Sequence, residues 1–408
     1  MKAIQIRISI PMNILFLYFA TKSINVFPSG MPQIADILLI LGIVIIIYSN
    51  RGVIYIPAEH SKHIKICSMI VVYQMVVNFI WAIALGNTQF ISRSMYYVFN
   101  FIAYVYIFIL CKYYGYESVV KTTISGCIAS AVVSFGGVML LSGQAFRKNG
   151  FFNNPNQLGY FSIVLVAFAF CIFKNDWKKY LVYTLSVVMI ILSGSKASFA
   201  GLFIFFFLVI ITSENTKKQT IVWKMIVLIL LSVGLYLIMY SDIGFIARNS
   251  EIINLRVRFS NLEADDNLWT GRGYERITEI GYHFLWGMGE GGFDRFTTLK
   301  GIETHSAYVT ILLSYGLIGL IGYCYIFKKT VGKSFIQIKK SITALSGILF
   351  YNVTHNGIRN TLVWMLLAMI CLEHYYARIN VEEKPESISE PVIIEGDLYG
   401  RQARLDKE

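Results

Sequence analysis

This sequence is poor in charge: Asp, Glu, Lys and Arg make up only 15% of its 408 residues, against 56% hydrophobic ones. That balance excludes an ordinary soluble domain, which has no means of covering so much apolar surface. Its six cysteines, among them Cys127, Cys171 and Cys324, form no CxxC pair and lie mostly inside apolar segments. They read as small packing residues, which excludes a disulfide framework. No His/Cys spacing suits a metal, and no internal repeat is visible. The first apolar stretch lacks a small-residue cleavage site and is soon followed by a second, so it is expected to be a retained span.

What is present is a succession of apolar runs, each about 17–25 residues long, the length needed to cross a hydrocarbon core. Runs such as "FAGLFIFFFLVII" show no alternation of period two, which excludes a membrane barrel. The expected fold class is an all-α polytopic membrane protein with about twelve spans. They run over 8–27, 33–49, 64–85, 93–112, 118–142, 157–174, 178–194, 197–212, 221–240, 305–327, 341–356 and 360–376. Residues 1–240 thus hold nine helices, 241–304 form one large extracytoplasmic loop, 305–376 hold the last three helices, and 377–408 are a flexible cytoplasmic tail.

The net charge of +12 does not imply a nucleic-acid partner, because cytoplasmic loops of multispanning proteins collect Lys and Arg. Alternate loops carry such groups here: Arg51 with Lys62 and Lys65, Lys174 with Lys178 and Lys179, Lys328 and Lys329 with Lys339 and Lys340. They fall on one side if both termini are inside. The opposite loops hold fewer cations: Arg147 and Lys148, Lys196, Arg359, and those of the 241–304 loop, including Arg272 and Arg276. Cations kept outside against this bias suggest a bound anion, although long translocated loops also carry arginines freely.

Four polar constellations share that face. "RKNGFFNNPNQLG" sets Arg147, Asn149, Asn153, Asn154 and Asn156 around a Pro155 turn. It reads either as a loop and helix start or as a polar wall for sugar hydroxyls and phosphate oxygens, with Phe151 and Phe152 free to stack. "SGSKAS" puts Lys196 at a hairpin tip, either snorkelling or meeting an anion at a helix start. "WTGRGYERITEIGYHFLWGMGEGG" is expected to form an amphipathic helix from Tyr274 to Leu285, ended by its glycines. Arg276 in its first turn, with Arg272 just before, is unfavourable to the helix dipole but suits a diphosphate, whose oxygens match guanidinium forks. The glycines lack the Lys-Ser/Thr of a nucleotide loop. "ETHSAYVTILLSYGLIG" places His305 at a span mouth, a cap or a proton acceptor, with Glu303 positioned to orient it. His355, Asn356 and Arg359 form a further cluster. Glu263 to Asp266 are read as helix caps, so no metal is expected.

Taken together, "RKNGFFNNPNQLG", "GSKAS", "TGR" opening a long loop and "THSAYVTILLSYGLIG" closing it resemble the bacterial O-antigen ligase and polymerase superfamily, which includes the Wzy-type polysaccharide polymerases. The resemblance covers roughly residues 145–325. It implies a GT-C-like membrane glycosyltransferase of the bacterial inner membrane, acting on the outer face without metal or other cofactor. The implied donor and acceptor are undecaprenyl-diphosphate-linked glycans, with a chain-length regulator as a further partner. By position, His305 matches the family's base and Arg272 its loop arginine, while Lys196 stands where the family usually shows Arg. Polymerase is the leading reading and ligase the alternative. A transporter of lipid-linked sugars would instead be expected to place its charges near mid-membrane.

Overall fold

The computed structural model describes residues 10–27, 32–141, 147–212, 269, 273–292 and 303–382. Within them the chain is helical, with no strand: α1 Ile10–Thr21, α2 Ile34–Ser49, α3 Ala58–Leu85, α4 Gln89–Tyr114, α5 Tyr116–Leu141, α6 Pro155–Ile172, α7 Trp177–Ser193, α8 Lys196–Thr212, α9 Ala307–Val331, α10 Phe335–Thr354 and α11 Thr361–Glu382. Each expected span in the described residues has its helix; the ninth, 221–240, lies outside them. Six of these helices (α3, α4, α5, α6, α9 and α11) are long and apolar enough to cross a membrane, and α1, α2 and α8 are shorter apolar helices. Helices α3, α4 and α10 begin several residues before the expected spans. The added residues include polar or charged groups, such as Glu59 and Lys62, Gln89 and Ser92, and Gln337, Lys339 and Lys340, which lower the local hydropathy.

The helix ends follow local chemistry. Asn154 caps α6 by accepting from the Gln157 N–H at 3.0 Å, with Pro155 at the first helical position. Asp176 caps α7 through the N–H groups of Lys178 and Lys179, and Gly194 ends it at φ 56°. Ser334 and Gln337 form a capping box on α10.

Helices α4, α6 and α11 are the most enclosed. Met69, Val72, Val76, Ile80 and Ile83 instead form an exposed apolar stripe on α3. Their helical spacing and exposure suit a lipid-facing surface and would be a liability in water. Where α8 crosses α10, a Cβ on Gly201 would lie 2.7 Å from the Gly347 carbonyl oxygen. Only small residues allow that approach.

Residues 273–292 depart from expectation. Two short 3-10 helices, Tyr274–Glu279 and Gly281–Phe284, stand in place of one amphipathic α-helix. After them, residues 285–292 dock against a break in α9 at Gly316 (φ 63°, ψ −165°). The Met288 and Gly289 N–H groups donate to the Leu313 and Ser314 carbonyls, both at 2.8 Å. Tyr73 donates to the Trp286 carbonyl at 2.8 Å and Trp81 to that of Gly287 at 3.2 Å. The loop thereby takes up backbone groups that a broken helix leaves unpaired.

Candidate functional site

The loops 22–27, 86–88, 147–154, 194–195, 273–292, 303–306 and 355–360 meet at one end of the bundle, as contacts among them show. Asn25 and Asn153 bond across to Phe151 and Phe27, and Lys148 donates to the Leu192 carbonyl at 2.9 Å. Three polar nodes form there.

The docked loop carries Glu290 to the centre of the first node. Its side chain is wholly buried. It accepts from the Tyr97 hydroxyl and from the Tyr315 hydroxyl at 2.9 Å, while its backbone N–H donates to Asn78 at 2.7 Å. Arg359, from the α10–α11 connection, pairs with both Glu290 and Glu303 and lies 4.9 Å from the Tyr96 ring centroid. Asn356 donates to Glu303 at 3.0 Å, and Arg93 of α4 stands 3.9 Å from it. Burial alone would raise the Glu303 pKa, but the charges of Arg359 and Arg93 and the bonds from Arg359 and Asn356 outweigh it and hold the carboxyl below its usual range. Burial likewise opposes the charge on Arg359, and its two carboxylates reverse that.

The second node joins α1, α2 and α11. Lys22 donates to both Asp36 oxygens, at 2.5 and 2.7 Å, and Thr361 donates to Asp36 at 2.7 Å. The third joins the 147–156 loop to the α7–α8 hairpin. Arg147 donates to the Ser193 carbonyl at 2.8 Å and to Asn156 at 2.6 Å.

Between the first two nodes lies a cavity of about 390 Å³, within the usual range for ligand sites. Lys22, Asp36, Arg93, Glu303 and Arg359 reach its wall, with Tyr96 and Phe152 among its aromatic surfaces. Each cation in that wall faces a carboxylate, so this cavity is not a simple anion trap.

The sequence-predicted residues divide accordingly. Arg147, Asn156 and the hairpin bearing Lys196 are brought together, with Lys196 exposed at the start of α8. Glu303 and Arg359 are brought together in the ion-pair node. Asn153 holds the Phe27 carbonyl at 2.9 Å, and Asn154 serves as a cap. Phe151 packs on Gly137, away from the stacking position expected of it, whereas Phe152 does line the cavity. Arg276 is fully buried and donates to the Thr304 hydroxyl at 3.3 Å. Burial lowers its pKa, while Glu279, Glu275 and Glu303 act the other way. His305 is exposed, two residues beyond Glu303 of the cavity wall. Both Arg272 and the acidic run 263–266 lie outside the described residues.

Sequence reasoning missed Arg93, Glu290, Lys22 and Asp36. A signal existed for Asp36, a lone carboxylate in the run "IADILLILGIVIII", since an ionisable group in such a run implies a partner. Glu290 was the single charge among the glycines of "GMGEGG".

Residues 181–324 match the family model described as O-Antigen ligase. That match supports the O-antigen ligase and polymerase superfamily and does not separate ligase from polymerase. It takes in Lys196, Arg272, Arg276, Glu290, Glu303 and His305, while Arg93, Arg147 and Arg359 lie outside it. No curated protein matches the chain.

Proposed function

We propose that the chain is a repeat-unit polysaccharide polymerase. It transfers a glycan from an undecaprenyl-diphosphate carrier to a sugar hydroxyl of a second lipid-linked glycan, at the outer face of the inner membrane. One observation carries this reading: cations from inside and outside the O-Antigen ligase match converge at one end of the bundle, beside a polar cavity walled by Glu303, near His305 in the chain.

In this mechanism the diphosphate leaves, and negative charge grows on it as the glycosidic bond breaks. Cations held in place beforehand stabilise that charge where electrostatic catalysis is most effective. Lys196, exposed at the first turn of α8, and Arg272 make the primary contacts, with Arg147 and Asn156 supporting the hairpin. His305, as a neutral imidazole, accepts the proton of the attacking hydroxyl. Arg276 braces Thr304, next to His305. Arg359, expected among the diphosphate contacts, holds Glu303 instead, because its charge is already matched. Asn153 and Asn154 support the loop through the bonds described above.

His305→Ala is expected to reduce polymer formation roughly a hundredfold or more with protein level and membrane insertion intact; gels of polymer from complemented cells measure it. Unchanged chain length would remove His305 from the mechanism. Arg272→Lys is expected to impair activity more than Lys196→Arg, because only the former loses a guanidinium fork. A deletion strain that still makes long polymer but leaves it unattached to its acceptor would identify a ligase.

A further inference from the structure

Helices α6, α7, α8 and α10 enclose a second cleft, of about 560 Å³. It lies at the other end of the bundle: Tyr160 of α6 and Tyr351 of α10 line the polar cavity, whereas Phe170 and Ile336 of the same helices line this cleft. On α10 the two positions are roughly 22 Å apart along the axis, at about 1.5 Å per residue.

The cleft is lined by lysines and apolar side chains together. Lys174 and Lys179 come from the α6–α7 side and Lys339 and Lys340 from α10, beside Phe170, Phe173 and Ile336. Lys340 is paired with Glu373. Lys179 donates to Asn175 at 3.1 Å and lies 5.6 Å from the Phe170 ring centroid. Among the described residues, Lys174, Lys179 and Lys339 have no carboxylate within ion-pairing distance. The nearby Asp176 is occupied as the α7 cap. Topological bias accounts for lysines in cytoplasmic loops. It does not require them to converge from separate elements on one cleft that also has apolar lining. The same end of the bundle carries exposed aromatic residues: Trp177 and Tyr180 in the first turn of α7 are 67% and 59% exposed, and Trp and Tyr settle at a membrane boundary.

We infer that this cleft holds the head group of an anionic phospholipid, its phosphate among Lys174, Lys179 and Lys339 and its acyl chains towards Phe170 and Ile336. Basic pockets between membrane helices bind such head groups through this combination of charge and apolar wall. A soluble phosphate compound has no use for the apolar surround. The inference does not depend on the reaction proposed at the other end.

Native mass spectrometry of the purified full chain, titrated with phosphatidylglycerol and phosphatidylethanolamine of matched acyl chains, tests it. Phosphatidylglycerol is expected to be retained preferentially. The combined variant Lys174→Gln, Lys179→Gln, Lys339→Gln should weaken that retention roughly fivefold per lysine, with the matching Lys→Arg variant close to wild type. Lys178→Gln with Lys328→Gln, at the same end but outside the cleft, should change nothing. If the combined variant does not fold, single Lys174→Gln and Lys339→Gln variants carry the comparison. Undiminished phosphatidylglycerol binding in the glutamine variants, equal retention of phosphatidylethanolamine, or displacement of the lipid by millimolar inorganic phosphate would each overturn it.

Discussion

Arg359 sits between two carboxylates and over an aromatic face, so its charge is balanced before any ligand arrives. Removing the guanidinium would leave Glu290 buried with only neutral donors. Arg359→Met is therefore expected to cost about 3–5 kcal/mol, seen as a lower melting temperature in detergent. Adding Glu290→Gln should recover part of the loss, because a neutral amide can still accept from Tyr97 and Tyr315. Wild-type melting of Arg359→Met would contradict the pairing. Glu303 adds a pH dependence. Its folded pKa is depressed, so its stabilisation is complete above the unfolded value of about 4.3 and is lost as pH falls through the lower folded value. Melting temperature should drop on acidification below about pH 4, and less so in Glu303→Gln. Glu303 and Arg359 both stood out in the sequence as polar residues of outer loops. Their pairing did not, because no local pattern links a carboxylate before α9 to a guanidinium after α10.

The element that most shapes the site is α9, whose break at Gly316 admits the docked loop. At φ 63° and ψ −165° a side chain is strained, and a Cβ there would lie 2.3 Å from the Leu285 carbonyl oxygen. Gly316→Ala is expected to lower the melting temperature and open residues 273–292 to protease. Gly136→Ala, in α5 with nothing near its Cβ, should be neutral or stabilising by about 0.5–1 kcal/mol. Equal behaviour of the two would refute the docking role. The preceding segment shows why its sequence misled. Tyr274, Ile277 and Ile280 all pack towards Val309 and Leu313, a spacing of three that suits a 3-10 turn. Phe284, placed inward by an α-helical period, is 43% exposed. Gly281, at φ 50°, opens the second turn in a conformation outside the right-handed helical region, where an α-helix would have run on.

Over the whole molecule, the alternation of loops read from Lys and Arg placement agrees with which loops meet. The connections at 50–57, 173–176 and 332–334 fall at one end, and those bearing Arg147, Glu290, Glu303 and Arg359 at the other. Reporter fusions are expected to place residue 280 outside the cytoplasm and residue 335 inside. The reverse result would separate the polar cavity from any lipid-linked donor on the outer face.

The amino-acid order alone pointed to a helical membrane protein, to the approximate positions of its described long helices, and to the polar segments that share an end. Hydropathy and loop charge are local properties, written in consecutive residues, and the bilayer acts on them segment by segment. Which cations are already matched, how Glu290 comes to be buried and where α9 breaks emerge only from the packed fold. Those outcomes depend on burial and on partners far away in the chain. Desolvation makes an unmatched charge costly, so each partner is chosen by packing, which no single stretch of sequence contains.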